Sequence, residues 1–215
     1  RAKRAMNASP YEQAPERYDS WFDRHPQIFQ AELDAILSVG EFLHPSLEVG
    51  VGTGRFARRL GVTHGADVSH GMVAMARHRG IDAMEADALS LPWGPSTFQT
   101  VLFITSLCFV GNPRAALEEA RRVLTPGGRL IIAFLNGSSP MTKAYGDHKR
   151  PGGWYEGAHF LTLSHISRLA EPLGFVMEAQ GQTLSEWAPD RAPLLHVEQH
   201  ISDGGFAVVR FRRER

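Results

Sequence analysis

Between residues 47 and 135, short apolar runs alternate with amphipathic stretches. The runs over 47–50, 65–68, 83–86, 100–105 and 130–135 have strand length, and each is bounded by Gly, Pro or polar residues. Amphipathic segments over 55–60, 71–79 and 113–124 fall between them. The last opens on Pro113 and stops before Pro126-Gly127-Gly128, the expected order of helix start and stop signals. Strict alternation of this kind predicts strand–helix crossovers, and so an α/β fold: a doubly wound, mostly parallel sheet with helices on both faces. Two later runs, 175–183 and 206–211, bring the strand count to seven and are expected to pair antiparallel at one edge.

The flanks follow a different rhythm. Residues 1–45 are polar and helix-prone, predicting an N-terminal helical cap. Residues 136–163 are rich in Gly, Pro and aromatic residues and read as a lid insertion. A helix follows over 164–173, with Ile166, Leu169, Ala170 and Leu173 on one face. The 215 residues are expected to form one domain.

The run Glu48-Val49-Gly50-Val51-Gly52-Thr53-Gly54 ends a strand and opens a helix, where backbone must approach a ligand without side-chain obstruction. Its G-x-G-x-G spacing departs from the G-x-G-x-x-G that seats a pyrophosphate, because Arg55 stands at the third dinucleotide glycine. A tight turn with incidental glycines is the competing reading.

Two carboxylates sharpen the picture. Asp67 ends the second strand, where a carboxylate accepts hydrogen bonds from ribose hydroxyls, or else caps the following helix. Asp87 ends the third strand, where it can accept from an adenine amino group while the Ala88 amide meets a ring nitrogen, or else simply forms a turn. A glycine turn followed by acids at the next two strand ends points to a nucleoside ligand.

With those residues in view, the chain resembles the class I S-adenosylmethionine-dependent methyltransferase superfamily, in its small-molecule, type 11-like group. The resemblance rests on Glu48 to Gly54, Asp67 to Met72, Asp87 and Leu124-Thr125-Pro126-Gly127-Gly128. It implies a Rossmann-like methyltransferase fold with S-adenosylmethionine as cofactor. It implies that Glu48, Gly50, Gly52, Thr53 and Gly54 hold the amino acid part, that Asp67 with Val68 binds ribose, and that Asp87 and Ala88 bind adenine. Met72 matches an adenine-packing position, Tyr18 an aromatic hydroxyl near the methionine carboxylate, and Thr105 a position near the methionine amino group and the substrate; Arg55 is a further neighbour. Phe98-Gln99-Thr100 and Gly111-Asn112-Pro113 depart from the family's pattern. Asn112-Pro113-Arg114 is not the Asn-Pro-Pro-aromatic motif, which argues against adenine or glutamine acceptors.

The implied activity is methyl transfer by in-line displacement to a small-molecule acceptor, a reaction driven mainly by alignment and exclusion of water. If a base is needed, His148 and His159 in the lid are the candidates. Tyr11, Tyr18, Trp21, Phe22, Trp154, Tyr155 and Phe160 are expected either to wall an acceptor pocket suited to an apolar or amine-bearing molecule, or to bury the N-terminal helix. Cys108, in an apolar run, reads as a small hydrophobe. His196 and His200 have the i, i+4 spacing of a helical metal pair and read as exposed helix histidines; no metal site is expected.

Composition narrows the partners. Lys plus Arg and Asp plus Glu number 23 each, so the formal net charge is zero and no excess field favours nucleic acid or anionic membrane. No apolar stretch approaches the roughly 20 residues of a membrane span, and residues 1–9 lack the apolar middle of a signal peptide. One cysteine fits a reducing, cytoplasmic setting. The alternatives are a non-catalytic S-adenosylmethionine-binding regulatory module and a nicotinamide-dependent oxidoreductase.

Overall fold

The computed structural model describes residues 11–146 and 153–215. Seven strands, β1 (Ser46–Val49), β2 (His64–Asp67), β3 (Asp82–Glu85), β4 (Phe98–Ile104), β5 (Leu124–Leu135), β6 (Phe175–Thr183) and β7 (Phe206–Arg213), form one sheet in the order β3-β2-β1-β4-β5-β7-β6. The first five pair in parallel. β7 runs antiparallel to both β5 and β6, so the late pair closes one edge as expected, with β7 inserted between its neighbours. Among the described residues no helix is long and apolar enough to cross a membrane.

The helices are α1 (Pro15–Arg24), α2 (Pro26–Ser38), α3 (Arg55–Leu60), α4 (His70–His78), α5 (Pro113–Val123), α6 (Pro140–Gly146) and α7 (Leu163–Ala170). Capping explains several starts. The Ser69 hydroxyl accepts the Met72 amide at 3.2 Å at the head of α4, and the Asn112 side-chain Oδ1 accepts the Ala115 amide at 3.2 Å at the head of α5. Asn112 therefore has a structural task, and Arg114 pairs with Glu118 one turn on, at 3.1 Å.

Alternation along β5 sends side chains to two different cores. Leu130, Ile132 and Phe134 pack with α5 and α7, whereas Ile131, Ala133 and Leu135 pack with α1 to α4. Phe98, Phe103 and Phe206 are wholly buried, each contributing roughly 1.5–3 kcal/mol of apolar transfer.

Several elements depart from their expected bounds or type. β5 begins at Leu124, where the backbone turns extended straight out of α5, with a register shift opposite Phe98 and Thr100. The 136–163 stretch holds α6, whose first turn is capped by the Ser139 hydroxyl accepting the Thr142 amide at 3.0 Å. His196 and His200 lie outside any helix; both are exposed and contact the Glu198 carboxylate, at 2.9 and 3.5 Å.

Candidate functional site

The sheet reverses its winding between β1 and β4, the crevice in which open α/β sheets hold ligands. A cleft of about 480 Å³, its mouth included, opens there. Its walls come from strand ends: Gly50 and Gly52 after β1, Asp67 and Val68 at the end of β2, and Ile104, Thr105 and Ser106 at the end of β4, with Met72 of α4 and Tyr18 of α1.

The glycine turn is built by backbone conformation. Gly50, Gly52 and Gly54 have φ of 77°, 53° and 77°, values that side chains resist. The Gly50 and Val51 amides both donate to the Ala66 carbonyl of β2, at 2.7 and 2.9 Å. Asp67 completes the tie: Oδ2 accepts the Gly52 amide and Oδ1 the Ser69 amide, both at 2.9 Å. Burial pushes the Asp67 carboxyl up, and the Ser69, Gly52 and Val68 amides only partly offset this.

Glu48 is buried beneath the turn, and among the described residues its Oε2 has no hydrogen-bond partner. Burial and the neighbouring Asp67 hold it well above the ordinary carboxyl range, against a hydrogen bond from the Ala57 amide. With Thr53, Tyr18, Gly50 and Gly52 it borders a smaller hollow of about 270 Å³ beside the cleft.

Other sequence candidates have structural tasks. The Thr53 hydroxyl donates to Asp19, and Arg55 forks onto Asp19 and Asp23. Arg79 adds a third donor to Asp19 at 2.7 Å and also donates to the Thr53 carbonyl. Burial pushes the Asp19 carboxyl up, but these donors outweigh it and hold it at about 2. Gly54 lies against α4, where a Cβ would meet the Ala76 Cα at 3.0 Å. Asp87 Oδ1 accepts the Leu89 amide at 2.9 Å; Ala88 is buried in the core, and neither residue lines the cleft. Gln99 sits at the opposite end of β4, its side chain donating to the His44 carbonyl, so the departure from the family pattern there lies away from the cleft.

A second cavity, of about 640 Å³, adjoins the first and shares Tyr11, Tyr18, Thr105 and Phe109 with it. Trp21, Phe22, Trp154 and Tyr155 line it as the aromatic pattern suggests, while Phe160 stands behind, against Tyr155, with ring centroids 5.5 Å apart. The Tyr11 hydroxyl donates to the Trp154 carbonyl at 2.8 Å, joining the N-terminal segment to the segment after α6. Thr105, on the shared wall, has φ of 49°, an uncommon conformation for a β-branched residue and of the kind that clusters at functional sites. His159 is exposed and lines neither cavity; its amide donates to the Cys108 carbonyl at 2.8 Å. His148 lies outside the described residues.

Two residues of the site escape the sequence reading. Asp19 gathers partners from α3 and α4 that no local pattern announces. Glu32 of α2 lines the second cavity and is buried; its signal is a charge at an apolar phase of the helix, three residues after Phe29 and four before Ile36.

A methyltransferase domain family matches residues 47–132. A protein of uncharacterised function from Methanocaldococcus jannaschii is 33% identical over 202 residues, covering 93% of this chain and 96% of its own. The crystal structure of an S-adenosylmethionine-dependent methyltransferase from Thermotoga maritima, a "possible histamine N-methyltransferase", superposes with a TM-score of 0.89 at 30% identity, covering 97% of this chain and all of that one. The chain belongs to the S-adenosylmethionine-dependent methyltransferase family. It is therefore a methyltransferase with the Rossmann-like fold, and its cofactor is S-adenosylmethionine rather than a nicotinamide dinucleotide. A demethylmenaquinone methyltransferase from Mycobacterium bovis is 31% identical to this methyltransferase over 147 residues, 68% of this chain and 58% of that enzyme.

Proposed function

We propose that this methyltransferase holds S-adenosylmethionine in the cleft between β1 and β4 and a small-molecule acceptor in the adjoining aromatic cavity. The observation that carries this reading is the shared wall: Tyr11, Tyr18, Thr105 and Phe109 border both spaces, so two ligands meet there. The chemistry of the donor set fits the cofactor. The Glu48 Oε2, without a partner among the described residues and beside the hollow next to Gly50 and Gly52, suits a methionine ammonium, with Tyr18 and Thr53 on the same wall. Asp67, fixed by two amides, keeps further oxygen lone pairs for a ribose diol, and Val68 and Met72 offer apolar contact to the base. Asp87 and Ala88 are proposed to meet the adenine edge from just beyond the cleft. Gly54 acts indirectly, by letting α3 pack on α4.

Bound S-adenosylmethionine supplies a methyl group on a positively charged sulfur. The chain's part is to align an acceptor atom behind that methyl and to exclude water, which the aromatic walls achieve. The Thr105 carbonyl accepts from the Cys108 thiol at 3.4 Å, and its strained backbone places the residue on the wall between donor and acceptor. Neither lid histidine is assigned a role.

The acceptor class is supported by the small molecules in the names of the Thermotoga and mycobacterial relatives. Balanced charge argues against nucleic acid as acceptor, and a single cysteine, Cys108, supports a cytoplasmic setting. The test is S-adenosylhomocysteine formation with a panel of small aromatic acceptors, in wild type and Trp154→Ala. The substitution is expected to raise acceptor KM at least tenfold and leave S-adenosylmethionine affinity within twofold. Unchanged acceptor KM contradicts the assignment of the second cavity.

A further inference from the structure

Burying a carboxylate costs several kcal/mol unless a cation or donors compensate it. Glu32 is 8% exposed, between buried Ala31 and Leu33 on α2. Among the described residues it makes no ion pair and no side-chain hydrogen bond, in contrast to Asp19, which accepts from the side chains of three residues, Thr53, Arg55 and Arg79. The titratable groups around it are Tyr18 of α1, Tyr145 of α6 and Tyr155 beyond α6, with Cys108 on the same cavity wall; none is a cation. The arginines of α3, the helix in contact with α2, are committed elsewhere: Arg55 to Asp19 and Asp23, Arg59 to Gln30.

Such a group is expensive to keep, and it stands in the cavity lined by Trp21, Phe22, Trp154 and Tyr155. Aromatic faces attract cations, and a carboxylate supplies the directional partner that faces alone lack. Resting on the reading that this cavity is the acceptor site, we propose that Glu32 binds the ammonium form of an amine acceptor and takes its proton, making nitrogen the methylated atom.

Burial pushes the Glu32 carboxyl up to about 8, so near neutral pH the empty cavity holds it largely protonated. An arriving ammonium stabilises the carboxylate and expels that proton to solvent. In the chemical step, an ammonium N–H bond breaks and its proton passes to a Glu32 oxygen. The freed nitrogen pair attacks the methyl carbon, and the carbon–sulfur bond breaks with its electron pair remaining on sulfur. The products are a methylated ammonium and a neutral thioether, and Glu32 then releases one proton to solvent.

The experiment uses the full chain saturated with S-adenosylhomocysteine, whose own binding is measured first, so that failure of the cofactor reading shows separately. 2-Phenylethylamine and the isosteric 2-phenylethanol are then titrated into wild type and Glu32→Gln, read by the fluorescence of Trp21 and Trp154. Calorimetry is run in two buffers of different ionisation enthalpy. Wild type is expected to prefer the amine at least tenfold and to release close to one proton per amine at pH 7. Glu32→Gln, with S-adenosylhomocysteine affinity within twofold, is expected to lose both the preference and the proton release, and Glu32→Asp to keep part of each. A wild type without amine preference, or a Glu32→Gln variant that retains it, overturns the proposal.

Discussion

The Thr53 hydroxyl donates to Asp19 Oδ1 at 2.6 Å, which ties the glycine turn to the N-terminal helix. Arg55 and Arg79 hold the same carboxylate, so one side chain of α1 organises the turn, the head of α3 and the end of α4.

Asp19→Asn keeps the shape and removes the charge. The variant is expected to lose roughly 2–3 kcal/mol of stability, the scale of charge-assisted hydrogen bonds left incomplete at a largely buried site, measured from urea midpoints. A carboxyl held at about 2 against an ordinary 3.8 contributes stability that is present above the latter and lost as pH falls through the former. The variant's acid limb should therefore begin at lower stability and fall less steeply.

Gly54 and Gly61 separate two causes of glycine use. Both have positive φ, but a Cβ on Gly54 would meet Ala76 and Ile81 within 3.3 Å, whereas nothing lies within 4 Å of one on Gly61. Gly61→Ala is expected to cost about 1 kcal/mol from backbone strain, and Gly54→Ala a further 1–3 kcal/mol from overpacking. Equal chemical-denaturation shifts for the two would argue against the packing role of Gly54.

The sheet was legible wherever period alone decides. Apolar runs from Leu47 to Leu135 alternate with amphipathic helices, and the chain has little freedom to fold them another way. The boundary at Leu124 was obscured because that residue is apolar and completes the helical pattern of α5 while its backbone already belongs to β5. Helix α6 hid in a Gly- and Pro-rich stretch, its start set by the Ser139 cap rather than by a repeat. The glycine turn, Asp67 and most of the aromatic wall could be named because strand ends recur at fixed places in this architecture. Asp19 could not, since its partners Thr53, Arg55 and Arg79 come together only when α1 docks, and Glu32 required knowing which face of α2 is covered.

Glu32 also sets a pH signature for the empty protein. Its carboxyl titrates at about 8 when folded and near 4.5 when unfolded, so the folded state retains a proton that the unfolded chain has lost. That contribution to stability is fully present below the lower value and disappears as pH rises through the upper one. Tyr18, Tyr145 and Tyr155, which face it, are all raised by burial and stay neutral throughout this window; Asp67 and Glu48, also raised, add slopes of the same sign. Thermal midpoints are therefore expected to fall from about pH 5 to about pH 8 in wild type, and to fall less in Glu32→Gln. Parallel profiles would mean that Glu32 does not carry the effect.

The cleft between β1 and β4, bordered by the Asp67–Gly52 tie, is the proposed S-adenosylmethionine site. Calorimetric titration of wild type and Asp67→Ala with S-adenosylmethionine, S-adenosylhomocysteine and NAD tests it, with circular dichroism confirming that both proteins are folded. Both sulfur ligands are expected to bind wild type selectively over NAD and to bind Asp67→Ala at least tenfold more weakly, about 1.4 kcal/mol. A folded wild type that binds neither, or an Asp67→Ala variant that binds both as tightly as wild type, would contradict the assignment.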